Sequence, residues 1–272
     1  IHSFTKPSLH WDFSMGLEDS ILGIKCKLKA GAKAENGALY VRNGGYAVTE
    51  KIPFAISEKS LSAWVKLDNL TQRAGGVMTL QTLNGSVFDS IVYSEKQPKT
   101  WMSGSNGFRR TENFQATQEK QADQEFIHIV ITYSKEGEIT GYRNGEPYGK
   151  SYQKSTVNFK PNNSVISFGV RHLPAYPQRM LSGKIRSASL FNIELSGTEV
   201  KSLFDPKSYV SIDEISKKLS SEEKKRLNDL AVEKDQIKDN IQKIEDLRPT
   251  NKMNLQDFAL ALFNMKEFIY LK

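Results

Sequence analysis

The feature that most constrains this chain is a succession of about a dozen short β-rich runs between residues 9 and 191, each bounded by turn residues, with almost no helical periodicity before residue 196. LHWDF, ALYVR, GYAVTE, SLSAWVKLD, GGVMTLQTL, VFDSIVYS, EFIHIVITYS, ITGYRNG, NSVISFGVR and KIRSASLF are rich in Val, Ile, Phe and Tyr, residues that suit a pleated, half-buried surface. Asn43-Gly44, Asn84-Gly85 and Asn144-Gly145 accept the positive φ that tight hairpins require, so three hairpins are expected. A parallel sheet would need crossover helices that the pattern lacks. The fold expected is therefore all-β: a two-sheet antiparallel jelly-roll sandwich followed by a C-terminal helical hairpin. Leu9, Trp11 and Phe13 share one strand face, as do Leu61, Ala63, Val65 and Leu67. Trp64 falls on the opposite face of its strand, which is expected to be covered as well.

The β part ends at SGTEVKSLF, where Ser196 and Glu199 have the spacing of a capping box and predict a short helix to about Phe204, stopped by Asp205-Pro206. Residues 1–206 are read as the sandwich domain and 207–272 as a helical extension. In the extension, Ser220 and Glu223 form a second capping box. Leu227, Leu230, Ile237, Ile241 and Ile244 then follow three-and-four spacing, predicting a helix over about 220–247. Asn254 can cap a last helix over about 254–268 with Leu255, Phe258, Leu262 and Phe263 on one face, and the two helices are expected to pair.

The net charge of +7 is scattered among acids along strands, loops and helices, the pattern of a solvated surface rather than a nucleic-acid footprint. No apolar run approaches the 18 or so residues that cross a bilayer, so no membrane span is expected. Cys26 stands alone, which excludes an internal disulfide and a thiolate metal cluster, and its expected role is a small buried apolar group. The chain opens at Ile1 rather than Met, from which a leader or upstream region is expected to have been removed.

Residues 87–111, VFDSIVYSEKQPKTWMSGSNGFRRT, concentrate candidate recognition groups. Asp89, Ile91 and Tyr93 share one strand face, opposite Phe88 and Val92. Trp101, Phe108, Arg109 and Arg110 follow on the excursion that leaves the strand. Tyr142 and Arg143 lie on the long hairpin, and Arg171 with His172 comes from a strand able to approach. Flat aromatic faces stack on apolar sugar faces, and Arg offers a planar fork of donors. Two readings stand side by side: a ligand surface, or a plug made by Trp101 and Phe108 at one end of the sandwich, with the arginines solvated or paired to Glu95 and Glu112.

The order of these pieces, closing on LSGKIRSASLFNIELSGTEVKSLF, resembles the laminin G-like or pentraxin-like branch of the concanavalin A-like lectin/glucanase superfamily over roughly residues 9–204. The resemblance implies a curved jelly roll used for carbohydrate or protein recognition, with calcium in some members. VFDSIVYSEKQPKTWMSGSNGFRRTENF, the Arg171-His172 pair and DFALALFNMKEFIYL are also similar to pieces of large exported bacterial proteins that join cytochrome c-like modules to lectin-like inserts. That similarity implies a secreted, periplasmic or cell-surface location, and it implies docking of the C-terminal helices onto neighbouring domains. The chain itself has no C-x-x-C-H haem site.

Glucanases of this fold carry an E-x-D-x-x-E strand, and no strand here offers such a triplet. His2, His10, His128 and His172 show no metal-binding spacing, no nucleophile elbow is present, and His128 alternates with apolar residues as a sheet histidine does. Calcium would need oxygen ligands, for which Asp12, Asp19 and Asp89 are the candidates. Arg143-Asn144-Gly145 and Arg186-Ser187 stand where relatives carry acids. The expectation is a noncatalytic module that binds glycan or surface polysaccharide on the concave sheet and rim, an acidic glycan if the arginines take part. A docking domain with no free-sugar ligand is the alternative, and a glycoside hydrolase is the weaker one.

Overall fold

Alternation carried through the β-rich runs produces fifteen strands: β1 (Leu9–Asp12), β2 (Cys26–Lys29), β3 (Lys33–Glu35), β4 (Ala38–Val41), β5 (Tyr46–Thr49), β6 (Lys59–Leu67), β7 (Gly75–Thr82), β8 (Phe88–Tyr93), β9 (Trp101–Ser105), β10 (Ile127–Tyr133), β11 (Glu138–Arg143), β12 (Glu146–Pro147), β13 (Tyr152–Gln153), β14 (Ser164–Phe168) and β15 (Gly183–Phe191). The computed structural model describes residues 5–205 and 220–246. Two compact units divide the chain, Ile1–Tyr209 and Val210–Lys272. In the first, a nine-stranded sheet runs β12-β11-β10-β6-β15-β4-β3 with β1 added to β15 and β13 to β11. A six-stranded sheet runs β2-β5-β14-β7-β8-β9, and every pairing is antiparallel. The two-sheet sandwich expected from the alternation is thus present.

Two of the three Asn-Gly pairs make hairpins. Asn84-Gly85 joins the paired β7 and β8, and Asn144-Gly145, with φ of 51° and 80°, joins β11 to β12. Asn43-Gly44 does not: the same positive φ values, 52° and 85°, turn the chain out of one sheet and into the other, since β4 pairs with β3 and β15 while β5 pairs with β2 and β14. An Asn-Gly turn reverses the chain locally, but what the flanking strands pair with is decided by the sheets available to them.

The core between the sheets takes Leu9, Trp11 and Phe13 from β1 and its exit. Leu61, Ala63 and Val65 come from β6, Met78 and Leu80 from β7, Ile91 and Tyr93 from β8, and Ile166 and Phe168 from β14. Phe168 packs edge-on to Trp11 and Phe13. Cys26 is buried here, and its thiol is pushed up to about 12 by burial and by Asp19 nearby, which leaves it protonated and inert.

Each sheet also has a covered outer face. On the nine-stranded sheet, α1 (Gly197–Phe204) begins with the expected capping box, Ser196 Oγ accepting from Glu199 N and Glu199 Oε2 accepting from Ser196 N. It packs Val200 against Val130, Tyr142, Phe191 and Leu195. Phe204 at its end stacks on Trp64, and Trp64 stacks on buried His128, at ring separations of 5.6 and 5.0 Å. The covered face expected around Trp64 has this origin.

On the six-stranded sheet, Thr79, Gln81, Phe88, Ser90, Val92 and Met102 point away from the core and are nevertheless buried. Residues 169–181 form a strap across them, pinched at its base by Leu181 N to Gly169 O (2.9 Å) and Arg171 N to Arg179 O (3.0 Å). Thr79 Oγ1 donates to the strap carbonyls of Val170 and Arg171, and the strap's Leu173 N donates to Gln81 Oε1. Gly76 permits this approach, because a Cβ there would lie 2.3 Å from Val170 O.

In the second unit, α2 (Ser221–Asp246) follows the second capping box, Ser220 with Glu223, and leaves Leu230, Val232 and Ile237 about half exposed. The expected helix over 254–268 lies outside the described residues. No described helix is long and apolar enough to cross a membrane.

Candidate functional site

The face of β8 that carries Asp89, Ile91 and Tyr93 looks into the sandwich. Asp89 is wholly buried, with Oδ1 accepting from Arg110 Nε at 2.7 Å and Oδ2 lying 3.0 Å from Lys59 Nζ. Arg110 is also inside, donating from Nη2 to Phe88 O and Asn106 Oδ1. Tyr93 sits in the core with its hydroxyl donating to Leu70 O.

Trp101 stands not on an excursion but on β9, directly opposite Tyr93 in the β8–β9 register, with 4.9 Å between the rings. Its indole Nε1 donates to Glu119 Oε2 at 2.8 Å, and Arg143 holds the same carboxylate from Nε and Nη2, both at 2.9 Å. Burial would raise Glu119. The bonds from Arg143, Trp101 and Gln121 N outweigh it and hold the carboxyl down at about 2. Tyr142 lies under α1, where burial raises its hydroxyl.

Asp89, Tyr93, Trp101, Arg110 and Tyr142 were expected on a binding surface, and the structure places them inside. The alternation distinguishes two faces of a strand but not which is inner. Here Met78 and Leu80 on β7 and Ile166 and Phe168 on β14 fix the inner side. A Ser- and Gly-rich stretch, Trp101–Ser105, gives β9 almost no pattern to read.

The remaining candidates Phe108, Arg109, Arg171 and His172 gather on the outer side of the six-stranded sheet. Arg171 lies between two rings, its guanidinium carbon 4.9 Å from the Phe88 centroid and 5.2 Å from that of Phe108. Its Nη2 donates to Ser105 O, and it pairs with Glu95, which also meets Arg179 Nη1 at 3.3 Å. Burial pushes the Glu95 carboxyl up, and the two guanidiniums pull it back in part.

His172 stacks on Phe88 at 4.7 Å and meets Tyr176 edge-on at 5.8 Å. Burial, then the charges of Arg171 and Arg179, lower its imidazole, with a bond to Leu173 O acting the other way. Lys96 Nζ stands 5.3 Å over Phe108. A continuous ladder results: Tyr176, His172, Phe88, Arg171, Phe108, Lys96. Tyr176, 50% exposed, ends it on one side; on the other, Phe108, 39% exposed, lies between Arg171 and the exposed Lys96, with Arg109 exposed beside it.

Arg143 stands apart from this patch, at its pairing with Glu119 and Gln121 Oε1. Lys96, Tyr176 and Arg179 escaped the sequence reading. Only Tyr176 had a legible signal, a tyrosine set between Pro174 and Pro177 in a polar loop, where an aromatic has no core to enter.

The three calcium candidates are already engaged. Asp12 Oδ1 accepts from Ser14 N and Oγ, Asp19 accepts from the backbone N–H of His10, Ile21 and Leu22, and Asp89 faces two cations. Their charge is committed to donors of the chain itself. Among the described residues no group of three or more His, Cys, Asp or Glu side chains is placed to hold a metal.

Among solved structures the chain is similar to domain 4 of AbnA, a GH43 extracellular arabinanase from Geobacillus stearothermophilus, in complex with arabinotriose. The TM-score is 0.60 at 16% identity, over 75% of this chain and 100% of that one. It is also similar to Trypanosoma rangeli sialidase in complex with 2,3-difluorosialic acid (TM-score 0.52, 17% identity) and to the botulinum neurotoxin serotype G binding domain (0.50, 16%). It covers 77% and 74% of its own length in these matches but spans only 33% and 51% of those chains. At such identities these likenesses concern the fold. No curated protein matches the chain. The family Laminin_G_3, described as the Concanavalin A-like lectin/glucanases superfamily, matches residues 41–201, more than half of the sequence and most of the sandwich just described. The chain belongs to the concanavalin A-like lectin/glucanase superfamily, through this laminin G-like family.

Proposed function

We propose that the sandwich is a noncatalytic glycan-recognition module whose binding surface is the patch on and beside the strap: Tyr176, His172, Phe108, Arg109, Lys96 and Arg179. The ladder, with Tyr176 half-exposed at one end and the partly exposed Phe108 under Lys96 at the other, carries this reading. Tyr and Phe faces offer stacking platforms to the apolar faces of sugar rings, and the rings are held in place by Arg171 and Phe88 beneath them. Four cations (Lys96, Arg109, Arg171 and Arg179) stand against one carboxylate, Glu95, a balance that selects acidic sugars. The solved arabinanase domain with arabinotriose is a precedent for a sugar on this fold. Glycoside hydrolysis requires two carboxyl groups roughly 5 to 10 Å apart. Glu95, the carboxylate at this patch, is tied to Arg171 and Arg179.

Titration calorimetry against acidic and neutral polysaccharides tests the reading. Binding to an acidic polysaccharide is expected to weaken about tenfold or more in Tyr176→Ala and in Phe108→Ala, with circular dichroism unchanged. Binding that survives the double substitution moves the site elsewhere. Release of reducing ends by the purified chain removes the word noncatalytic. Silence across the panel favours a second reading, docking through the second unit, for which the half-exposed Leu230, Val232 and Ile237 of α2 speak.

A further inference from the structure

Between the sheets, near the start of β6 and the end of β10, two cations share a single carboxylate. Lys59 and Arg110 both contact Asp89, and the three side chains are 2%, 5% and 0% exposed. The cluster carries a net charge of +1 in the interior of the sandwich, where an uncompensated charge costs several kcal/mol.

The hydrogen-bond accounting is equally one-sided. Lys59 Nζ donates to Ser57 O at 3.2 Å and forms its ion pair with Asp89, which leaves one ammonium proton with no N or O acceptor among the described residues, only the rings of Tyr133 and Phe159 at 4.6 and 5.4 Å. Arg110 uses Nε and Nη2 on Asp89, Phe88 O and Asn106 Oδ1, while Nη1 has no acceptor among them. The Tyr133 hydroxyl is buried with the Ser103 side chain near it but no well-formed hydrogen bond among the described residues, and Lys59 Nζ stands 4.6 Å from the centre of its ring. Lys59, Arg110 and Tyr133 line one small cavity. Residues 155–157 close it on the outer side, and Ser155 and Thr156 there are exposed, so the cavity lies within reach of solvent. Surplus N–H and O–H donors therefore converge where positive charge is in excess.

We propose that this cavity is a binding site for a small monovalent inorganic anion of the halide class. A cation would add to the excess charge. A water molecule could accept two of the free hydrogens but would leave the charge in place. A halide accepts from Lys59, Arg110 and Tyr133 together and brings the buried cluster to neutrality. The site is internal and separate from the patch on the strap, so it stands or falls independently of glycan binding.

Thermal unfolding of the full chain at constant ionic strength, with chloride exchanged for gluconate, a bulky anion, provides the test. Because a ligand that binds only the folded state raises its stability, the wild-type Tm is expected to rise with chloride and to level off. In Tyr133→Phe, which loses only the hydroxyl, the half-maximal chloride concentration is expected to move up about tenfold. In Lys59→Met, which removes the excess charge, the dependence is expected to disappear. A Tm indifferent to chloride overturns the proposal, as does an equal response in all three proteins, which marks a general salt effect. Crystals of the wild-type chain soaked in bromide give a reading that needs no variant: an anomalous peak between Lys59, Arg110 and Tyr133 supports the site, and peaks elsewhere alone refute it.

Discussion

Replacing Glu119 by Gln removes one charge from the point where Trp101, Arg143 and the loop 117–121 meet. The carboxylate accepts five hydrogen bonds, from Trp101 Nε1, Arg143 Nε and Nη2, and the amides of Lys120 and Gln121. They hold it at about 2 against an ordinary value of 4.5. The folded value is depressed, so the stabilisation is complete above about pH 4.5 and is lost as pH falls toward about 2. At about 1.4 kcal/mol for each tenfold change in proton affinity, this difference amounts to roughly 3.5 kcal/mol. Glutamine can still accept from Trp101, but it turns an amide donor toward Arg143 or toward the backbone N–H groups. Urea unfolding followed by tryptophan fluorescence, for wild type and Glu119→Gln at steps between pH 7 and 2.5, measures the difference. At neutral pH the variant is expected to be about 2 to 3 kcal/mol less stable, and the gap is expected to narrow progressively below about pH 4.5 and nearly to close as the pH approaches 2. Curves that stay parallel across the acid range would show that Glu119 does not carry the depressed carboxyl, and the account of Trp101 as an anchored plug would fail with it.

Two further perturbations probe the outer faces. His128 is buried with no partner for Nδ1 among the described residues and is held by burial at about 4 instead of 6.5. Stability should therefore fall by roughly 3 kcal/mol as pH drops from about 6.5 to about 4. His128→Gln should flatten that limb, and a wild-type stability that is constant over this range would contradict the assignment. Gly76→Ala drives a methyl group into Val170 O and the Arg171 backbone, an overpacking that should cost about 1 to 3 kcal/mol. Trypsin should then cut faster after Arg171 and Arg179, and an unchanged digestion pattern would mean that the strap does not rest on β7 as described.

The fold was more legible than the site, for a physical reason that particular residues make plain. Period-two alternation is a local property, so β6, β8, β10 and β15 could be read directly, and Ser196 with Glu199 marked the start of α1. Sidedness is not local. Asp89 looks like a surface acid until Lys59 and Arg110, distant from it in the chain, are folded against it. Trp101 looks like an exposed platform until Glu119 receives its indole proton. The turn at Asn43-Gly44 reads as a hairpin because the residues report on φ and not on strand partners. Phe108, Arg109, Arg171 and His172 could be picked out because aromatic and guanidinium groups cluster in sequence. The strap that brings them together has no periodicity, and its seat on the sheet depends on Gly76 and Thr79.

The place of β15 in the nine-stranded sheet has a consequence for how the chain is made. This last strand runs along β6 from end to end and also pairs with β4 and β1. Until Gly183 and the residues after it have been synthesised, β6 and β4 face each other across a gap the width of one strand, each with an open edge, and β1 has no partner. Open edges invite pairing with other chains, and contacts this distant in sequence form slowly. The six-stranded sheet and the β3–β4 and β6–β10–β11 pairings need no β15, so what waits for it is β1 and the joining of the two parts of the nine-stranded sheet.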